Sequence, residues 1–307
     1  MISSVNHLIS QPEDDTWNPH ASFKTLKIFL AECARLRIRP GQTDFVQAYL
    51  QVPMRDRVFV IFPAYWSKWL PQDIQKYCGV PMRLLKSLYG YCMSGKLFWE
   101  EQAVVLNNFG LKPCDAAPAL WYKHYPNEDV LMVLQYSDDL LYAATTQSII
   151  DDFLRALSDC FEHEPNAQAD WYLQARISQD AEGNLLLDQH RYSRAIIQRY
   201  LPNMPIEPSK IVLNKYRDPL PNDFTWTSDD NSRSHAEMRL LEVEFGFKFR
   251  AVTGSFNFLV NTSTRVMFAV HKCCKFMYMP GRPHFKSHQT SVVSCLVLSS
   301  WCIEVLL

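Results

Sequence analysis

The chain has 307 residues, and its 31 Lys and Arg against 32 Asp and Glu give a net charge of −1 at pH 7. This length holds one large domain or two modest ones, and the balanced charge disfavours a protein that binds polyanions over its whole surface. The nine cysteines are scattered without C-x-x-C spacing, and the N-terminal pattern does not predict a signal peptide. The sequence therefore predicts an intracellular protein with reduced thiols, cytoplasmic or nuclear, without a zinc site or disulfide framework.

The first half of the chain alternates predicted helices and strands. After an unpatterned lead-in at 1–20, Ser22 predicts the N-cap of a helix that reaches Arg37, and Pro40-Gly41 ends it. Thr43–Val46 predicts a strand that carries the charged Asp44, followed by a helical turn. The same patterns predict strands at Val58–Phe62, Val80–Leu85, Leu120–Lys123 and Val130–Tyr136, a helix capped by Ser94 to Phe109, and a helix at Ser148–Phe161 with a capping box of Ser148 and Asp151.

The pair Asp138-Asp139 lies between two apolar runs, Val130–Tyr136 and Leu140–Ala144, where a hairpin turn is expected. A two-residue hairpin turn usually contains Asn-Gly or Asp-Gly, because both positions need positive φ. Two carboxylates there predict strain and mutual repulsion, which are typical of functional sites and which a divalent cation would relieve. A solvated turn is the alternative, since Asp is a common turn residue and Asp-Asp recurs at 14–15, 151–152 and 229–230.

The second half contains a predicted hairpin, a helix and a helical region. Trp171–Ile177 and Asn184–Gln189 flank the turn Asp180–Gly183, and a helix follows at Arg191–Leu201. Proline-rich 202–235 predicts a linker, 236–290 a helical region with a break near Thr262–Thr264, and 291–307 a divergent tail. No Asp or Glu occurs from Phe245 to Ile303. The cations there predict a face that binds nucleic-acid backbone or a locally basic surface, and they include Lys248, Arg250, Arg265, Lys272 and Lys275.

The three acids Asp44, Asp138 and Asp139 are far apart in sequence, but neighbouring strands of one sheet would bring them together. Three carboxylates around one point suit two Mg²⁺ ions. A site of that kind performs in-line phosphoryl chemistry. Strands with interleaved helices predict an α+β layer around it.

Five motifs, in this order, resemble those of copia-type retrotransposon reverse transcriptases. TDFVQAYLQVP resembles their first catalytic motif, LLKSLYGYCMSGKLFWEE their LYGLKQ-type motif, and YSDDL their Y-x-D-D box. The segment YLQARISQDAEGNLLLDQHRYSRAII is similar to the family's hairpin and helix after the palm. FRAVTGSFNFLVNTSTRVMFAVHKCCKFMYMPGRPHF resembles a later helical region, so the likeness runs from Ala21 to His284.

The resemblance implies an α+β fold with a palm-type antiparallel sheet backed by helices and incomplete fingers over 21–201, then a helical thumb or connection-like part. Its metal ligands and catalytic residues would be Asp44, Asp138 and Asp139, holding two Mg²⁺ ions, with Mn²⁺ as an alternative. The implied nucleotide-binding residues are Phe45, Tyr49 as a steric gate against a 2′-hydroxyl, Gly90, and Tyr136 near the primer terminus. The implied partners are an RNA/DNA template–primer duplex and deoxynucleoside triphosphates, without a membrane. The hairpin around Asp180–Gln189 would support the primer strand.

Departures from the family pattern leave a second hypothesis open. Met1–Ser22 contains no Lys or Arg, whereas the family has basic finger residues there that bind triphosphate. Tyr91, Cys92 and Met93 stand where the family usually has Leu, Lys and Gln, and Arg265 is followed by Val266. The alternative is a catalytically inactive retroelement remnant that at most binds nucleic acid. Under either hypothesis we expect a truncated fragment of a polyprotein, without ribonuclease H, integrase or protease segments.

Overall fold

The computed structural model describes residues 16–200, 225–262, 267–286 and 304–306. The chain divides into two compact units, Met1–Ala169 and Asp170–Leu307. This division precedes the segment 202–235 that the sequence predicts as a linker, and most of that segment lies outside the described residues. Most of the predicted lead-in, Arg265 and most of the predicted tail also lie outside them.

In the first unit, helices alternate with strands up to the fourth helix, four strands then follow in succession, and a helix and a strand end it. The second unit begins with strands and continues with helices. The strands of the first unit are β1 Gly41–Phe45, β2 Phe59–Ile61, β3 Pro81–Arg83, β4 Lys112–Cys114, β5 Ala117–His124, β6 Val130–Tyr136, β7 Asp139–Ala144 and β8 His163–Asn166. Its helices are α1 Phe23–Leu36, α2 Ala48–Gln51, α3 Gln72–Gln75, α4 Ser94–Asn108 and α5 Gln147–Ser158. The second unit contains β9 Trp171–Tyr172, β10 Ala175–Gln179, β11 Leu185–Asp188, α6 His190–Tyr200, α7 His235–Phe245, α8 Phe249–Leu259, α9 Met267–Lys275 and β12 Glu304–Leu306.

A six-stranded sheet in the order β4-β5-β6-β7-β1-β8 is the centre of the first unit, and all its pairings are antiparallel. Helices α4 and α5 cover one face, where Phe98 and Phe153 share a core with Trp121 and Tyr142. Helix α1 contacts β5 and β6. Strand β6 is buried at six consecutive positions, which requires cover on both faces of the sheet. The predicted combination of antiparallel sheet and helices is confirmed.

Gly41 allows β1 to lie directly against β7. It is paired with Tyr142, and a Cβ atom at position 41 would overlap the tyrosine ring. The Tyr142 hydroxyl donates a hydrogen bond of 3.1 Å to the Asn166 carbonyl, on the strand at the other side of β1. This close packing keeps β1 in one register, and the position of the acids depends on that register.

Of three predicted helix starts, one is confirmed and two are wrong. Ser22 caps α1 as predicted, since its hydroxyl accepts from the Thr25 N–H at 3.1 Å. Helix α4 is capped by Met93 without a side-chain bond, because the Ser94 hydroxyl donates to the Leu88 carbonyl at 2.7 Å instead. The predicted capping box at the start of α5 is also wrong, because α5 begins at Gln147 after Thr146.

The second unit is a four-stranded antiparallel sheet, β12-β11-β10-β9, and a helical part with its own core. The predicted hairpin about Asp180–Gly183 is confirmed, but Trp171–Ile177 is interrupted by a tight turn at Leu173 and Gln174. The helices predicted after the linker are present. No helix in the described ranges combines the length and apolar character needed to cross a bilayer.

Candidate active site

Asp44 and Asp139 are cross-strand partners in the antiparallel pairing of β1 with β7. Residues directly opposite each other in such a pair project from the same face of the sheet. Asp138 adjoins them, because its carbonyl accepts the Phe45 N–H at 3.1 Å and so joins the end of β1 to the hairpin turn. The structure therefore brings the three predicted acids to one end of the central sheet.

The hairpin turn between β6 and β7 consists of Ser137 and Asp138, because Tyr136 pairs with Asp139. The interpretation that both aspartates occupy the turn is therefore wrong. Ser137 has the left-handed conformation, with φ 52°, and it carries the backbone strain that was expected of the acids. A serine in this position leaves Asp139 as a regular strand residue, which aligns its side chain with that of Asp44.

Burial and mutual repulsion raise the pKa of both paired aspartates. For Asp44 the pKa is raised first by burial and then by the charges of Asp138 and Glu164, the second of which is its partner on β8. For Asp139 burial again dominates, and the charges of Asp44 and Asp138 add to it. The Gln42 amide donates to Asp139 Oδ1 at 3.1 Å and offsets part of this rise. The site thus concentrates negative charge that a cation would neutralise.

Carboxylate oxygens with unrelieved repulsion are the donor type that Mg²⁺ and Mn²⁺ prefer. The chemistry of Asp44, Asp138 and Asp139 therefore fits a divalent ion. Within the described ranges, however, no group of three His, Cys, Asp or Glu side chains has the spacing of a metal site. The three-carboxylate metal centre stays a prediction.

Tyr49 forms an aromatic pair with Tyr89, a residue that sequence analysis did not single out. Their ring centroids lie 4.6 Å apart, and Phe98 supports Tyr49 at 6.0 Å from beneath. Tyr89 is 46% exposed. Its pKa is raised first by burial and then by the charges of Asp138, Tyr49 and Asp44, so its hydroxyl lies within electrostatic range of the acids. The sequence signal that could have identified Tyr89 is its position immediately before Gly90 in the LYG motif.

The other predicted nucleotide-binding residues differ in their access to solvent. Gly90 has φ 96°, and a Cβ there would meet no atom within 4 Å, so open space faces it. Tyr136 is 36% exposed and its ring lies 5.3 Å from that of His20. Phe45 is only 2% exposed and packs edge-on against Phe98. Its ring is therefore part of the core, and its assignment to the nucleotide stays a prediction.

A buried hydrogen-bonded group supports the hairpin from below. The side-chain carbonyl oxygen of Gln135 accepts from the Trp121 indole N–H at 3.1 Å, and the side-chain amide of Gln135 donates to Gln102. The Gln135 main-chain carbonyl accepts from the Ala21 N–H at 3.2 Å, beyond the point where β5 pairs with β6. These bonds anchor the residue before Tyr136 to β5, to α4 and to the segment before α1.

The predicted nucleic-acid-binding cations lie in the second unit, on α8, α9 and the residue before α8. Lys248, Arg250 and Lys275 are exposed and Lys272 is partly buried, with its amine 5.4 Å from the Phe268 ring centroid. The Arg250 guanidinium donates to the Met277 carbonyl at 2.8 Å, which brings the start of α8 to the segment after α9. Arg265, the fifth predicted cation, lies outside the described residues.

Residues 7–204 match the protein family described as "Reverse transcriptase (RNA-dependent DNA polymerase)". This match covers more than half of the chain, so the chain belongs to that reverse transcriptase family. The resemblance to copia-type retrotransposon polymerases is confirmed by its curated relatives.

Three of these relatives are retrovirus-related Pol polyproteins from plants. The one from transposon RE2 of Arabidopsis thaliana is 21% identical over 273 residues, and the one from transposon RE1 of the same plant 22% over 281; each alignment covers 89% of this chain. The one from transposon TNT 1-94 of Nicotiana tabacum is 19% identical over 188 residues, or 61% of this chain. The chain spans only 17% of the RE1 and RE2 polyproteins and 14% of the third.

Proposed function

We propose that this chain acts as an RNA-directed DNA polymerase, which joins a deoxynucleotide to the 3′-hydroxyl of a primer. The observation that carries the proposal is the pairing of Asp44 with Asp139, with Asp138 in the adjoining turn. Membership of the reverse transcriptase family supports the reaction class. In this proposal the six-stranded sheet is the palm, the segment around β2 and β3 a reduced set of fingers, and α7–α9 a thumb or connection-like part.

The acids would hold the divalent ions of the reaction. Two Mg²⁺ ions bound by Asp44, Asp138 and Asp139 would activate the attacking hydroxyl and stabilise the leaving pyrophosphate. The chain itself contributes the positions of the carboxylates. Strand register fixes Asp44 and Asp139, and the bond from the Phe45 N–H holds the main chain of Asp138. Such preorganisation avoids the cost of gathering like charges during each cycle.

The tyrosine pair would form the floor of the nucleotide pocket. Tyr49 rests on Phe98 and contacts Tyr89, so its ring cannot yield easily to an added hydroxyl group. Steric exclusion by such a supported ring distinguishes a deoxyribose from a ribose. The open space at Gly90 leaves room for the substrate next to Tyr89. Tyr136, exposed beside the acids, would pack against the end of the primer.

The partners would be a template–primer duplex and deoxynucleoside triphosphates. Lys248, Arg250, Lys272 and Lys275 would neutralise backbone phosphates, which gives sequence-independent and salt-dependent affinity. The hairpin of β10 and β11 would support the primer strand.

Primer extension on an RNA template tests the proposal. The full chain should extend a DNA primer with Mg²⁺ or Mn²⁺, and Asp138→Asn should abolish extension. The matched control is Asp115→Asn, which changes an exposed aspartate in the turn between β4 and β5 and should keep full activity. Absence of extension by the wild-type chain with either ion would overturn the proposal and leave the inactive remnant.

A further inference from the structure

A second concave site lies in the second unit, on the sheet face opposite its core. Its cavity has a volume of about 490 Å³, and its walls are Asp170, Trp171, Arg176, Asp188, His190 and Arg191. Arg176 and Asp188 lie on the hairpin that is proposed to support the primer strand, but none of the wall residues is among the predicted catalytic, nucleotide-binding or phosphate-binding residues. The cavity is large enough for a nucleotide-sized ligand.

Three of the wall residues form a row across the strands. Trp171 of β9 pairs with Arg176 of β10, which in turn pairs with Asp188 of β11. Cross-strand partners project from one face, so the indole, guanidinium and carboxylate are neighbours. The alternate residues Tyr172 and Ile177 are buried on the opposite face and hold the sheet in this register.

The turn that creates this row is strained. Leu173 and Gln174, between β9 and β10, have φ values of 49° and 61°. A two-residue turn with both φ values positive normally contains Asn-Gly or Gly-Gly, and ordinary side chains in that conformation cost free energy. These two residues form the hairpin turn that places Trp171 opposite Arg176.

The residues that line the cavity offer a flat aromatic surface, hydrogen-bond donors and hydrogen-bond acceptors. The Trp171 side chain is 37% exposed, and the Arg191 guanidinium carbon lies 5.1 Å from its ring centroid. Asp188 is only 8% exposed, and its Oδ1 accepts the His190 N–H at 3.0 Å. Within the described ranges, Arg176 and Arg191 form no ion pair with a carboxylate. The cations and the buried carboxylate are thus available to a ligand.

The charges of the residues that line the cavity indicate which class of ligand it can bind. Two arginines are balanced by Asp170 and Asp188, so the cavity does not favour a bare polyanion such as pyrophosphate. A planar ligand that both donates and accepts hydrogen bonds fits better. Unpaired nucleobases stack on aromatic rings and guanidinium planes. A guanine edge presents acceptors to an arginine and donors to a carboxylate.

We propose that this cavity binds one unpaired nucleobase, with guanine preferred, from a nucleic-acid strand or a free nucleotide. The base stacks on the part of the Trp171 ring that the Arg191 guanidinium leaves exposed, Arg176 donates to its acceptor edge, and Asp188 accepts from its N–H groups. The identity of the partner rests on the proposed polymerase function, because that function supplies the nucleic acid. The chemistry of the pocket does not depend on catalysis.

Binding of short labelled oligothymidine strands to the full chain tests this pocket without metal or nucleotide. Each strand carries one central guanine, adenine or abasic site, and fluorescence anisotropy gives its affinity. The guanine strand should bind more tightly than the abasic strand, and Trp171→Ala should reduce that ratio by about 5- to 100-fold. Trp171→Phe keeps an aromatic ring and should retain part of the preference. Trp17→Ala is the control, since it removes an exposed tryptophan outside the pocket and outside the proposed fingers.

Asp188→Asn separates base recognition from folding. Asparagine still accepts the His190 N–H but also presents an amide donor, so guanine should lose its advantage over adenine by about 10-fold. Competition by guanosine monophosphate would show that the pocket takes a free nucleotide. If guanosine monophosphate does not compete but the guanine preference remains, the base must belong to a strand. A wild-type guanine-to-abasic ratio of one, or a ratio unchanged in both variants, would overturn the proposal. A guanine preference without primer extension would support the pocket and refute the polymerase.

Discussion

Asp44 lies directly opposite Asp139 across the β1–β7 ladder, with Glu164 opposite Asp44 on its other side. Three carboxylates in one row of adjacent strands repel one another. A shift of one residue in either pairing would turn Asp44 to the other face of the sheet. The close packing of Gly41 on Tyr142 prevents such a shift, so the fold maintains a charge cluster that lowers its stability.

Asp139→Asn should therefore stabilise the chain at pH 7. The folded-state pKa values of Asp44 and Asp139 are raised, so the stability from these groups is present at low pH and is lost as pH rises through those values. Removal of one charge should increase the free energy of unfolding at neutral pH, by less than about 1 kcal/mol because the site is partly solvated. The Gln42 bond can persist with asparagine.

Thermal unfolding of wild type, Asp139→Asn and Asp115→Asn at pH 7 and in mild acid measures this effect. The advantage of Asp139→Asn should shrink as pH falls, whereas Asp115→Asn should match wild type throughout. A variant no more stable than wild type at pH 7 would show that the acids do not repel each other in solution.

Tyr49→Ala should weaken discrimination between deoxyribonucleotides and ribonucleotides by about 10- to 100-fold, because the ring that excludes the 2′-hydroxyl is gone. Single-nucleotide incorporation kinetics with each sugar gives the ratio. Tyr122→Ala removes an exposed tyrosine of β5, outside the proposed fingers, and is the control. Unchanged sugar discrimination in Tyr49→Ala, at normal deoxynucleotide incorporation, would remove the gate role.

Gln135→Leu should destabilise the first unit. The substitution leaves the buried Trp121 N–H without its acceptor and Gln102 without its donor. A buried polar group without a partner costs about 1–3 kcal/mol. The midpoint of urea unfolding should fall accordingly, whereas Gln168→Leu, at an exposed position, should leave it unchanged. A typical surface substitution changes the free energy of unfolding by about 0.5 kcal/mol. A loss no larger than that would mean that the network contributes little.

His284 should make the second unit sensitive to acid. It is fully buried, stacks on Phe276 at 4.3 Å, and accepts the Gly281 N–H on Nδ1 at 2.8 Å. Burial lowers its pKa to about 4, although the charge of Asp230 opposes this. Its contribution to stability is complete above the unfolded pKa of about 6.5 and is lost as pH falls toward 4.

Between pH 7 and pH 5 this loss should amount to about 2 kcal/mol of unfolding free energy. Denaturant titrations at both pH values measure it, and His284→Gln should show a correspondingly smaller change with pH. His235→Gln, at an exposed histidine on α7, is the control. An equal pH dependence in wild type and His284→Gln would contradict the assignment.

Local patterns predicted most elements but not the details that depend on distant contacts. The apolar periodicity of β6 and α5 was sufficient to locate both, because burial imposes it. The start of α4 was misplaced because the Ser94 hydroxyl bonds the Leu88 carbonyl and not a helix N–H. Helix α5 begins at Gln147, one residue before the predicted start. The turn at Ser137-Asp138 follows from strand register, which no local pattern specifies.

The site was predictable to the extent that its residues belong to known motifs. Asp44, Asp138 and Asp139 came from motifs, and the fold places them at one end of the sheet. Tyr89 was missed because its contact with Tyr49 arises from packing between segments forty residues apart. Phe45 was assigned to the nucleotide, but strand alternation turns its ring away from the face of Asp44 and into the core.

The measurement that tests the central claim most directly is a count of bound Mn²⁺ by electron paramagnetic resonance, which requires no catalysis. We expect the wild-type chain to bind divalent ions, with affinity reduced at least about 10-fold by Asp44→Asn and by Asp139→Asn, but not by Asp115→Asn. Equal Mn²⁺ binding in all four proteins would contradict the claim that the carboxylates opposed across β1 and β7 form one cation site.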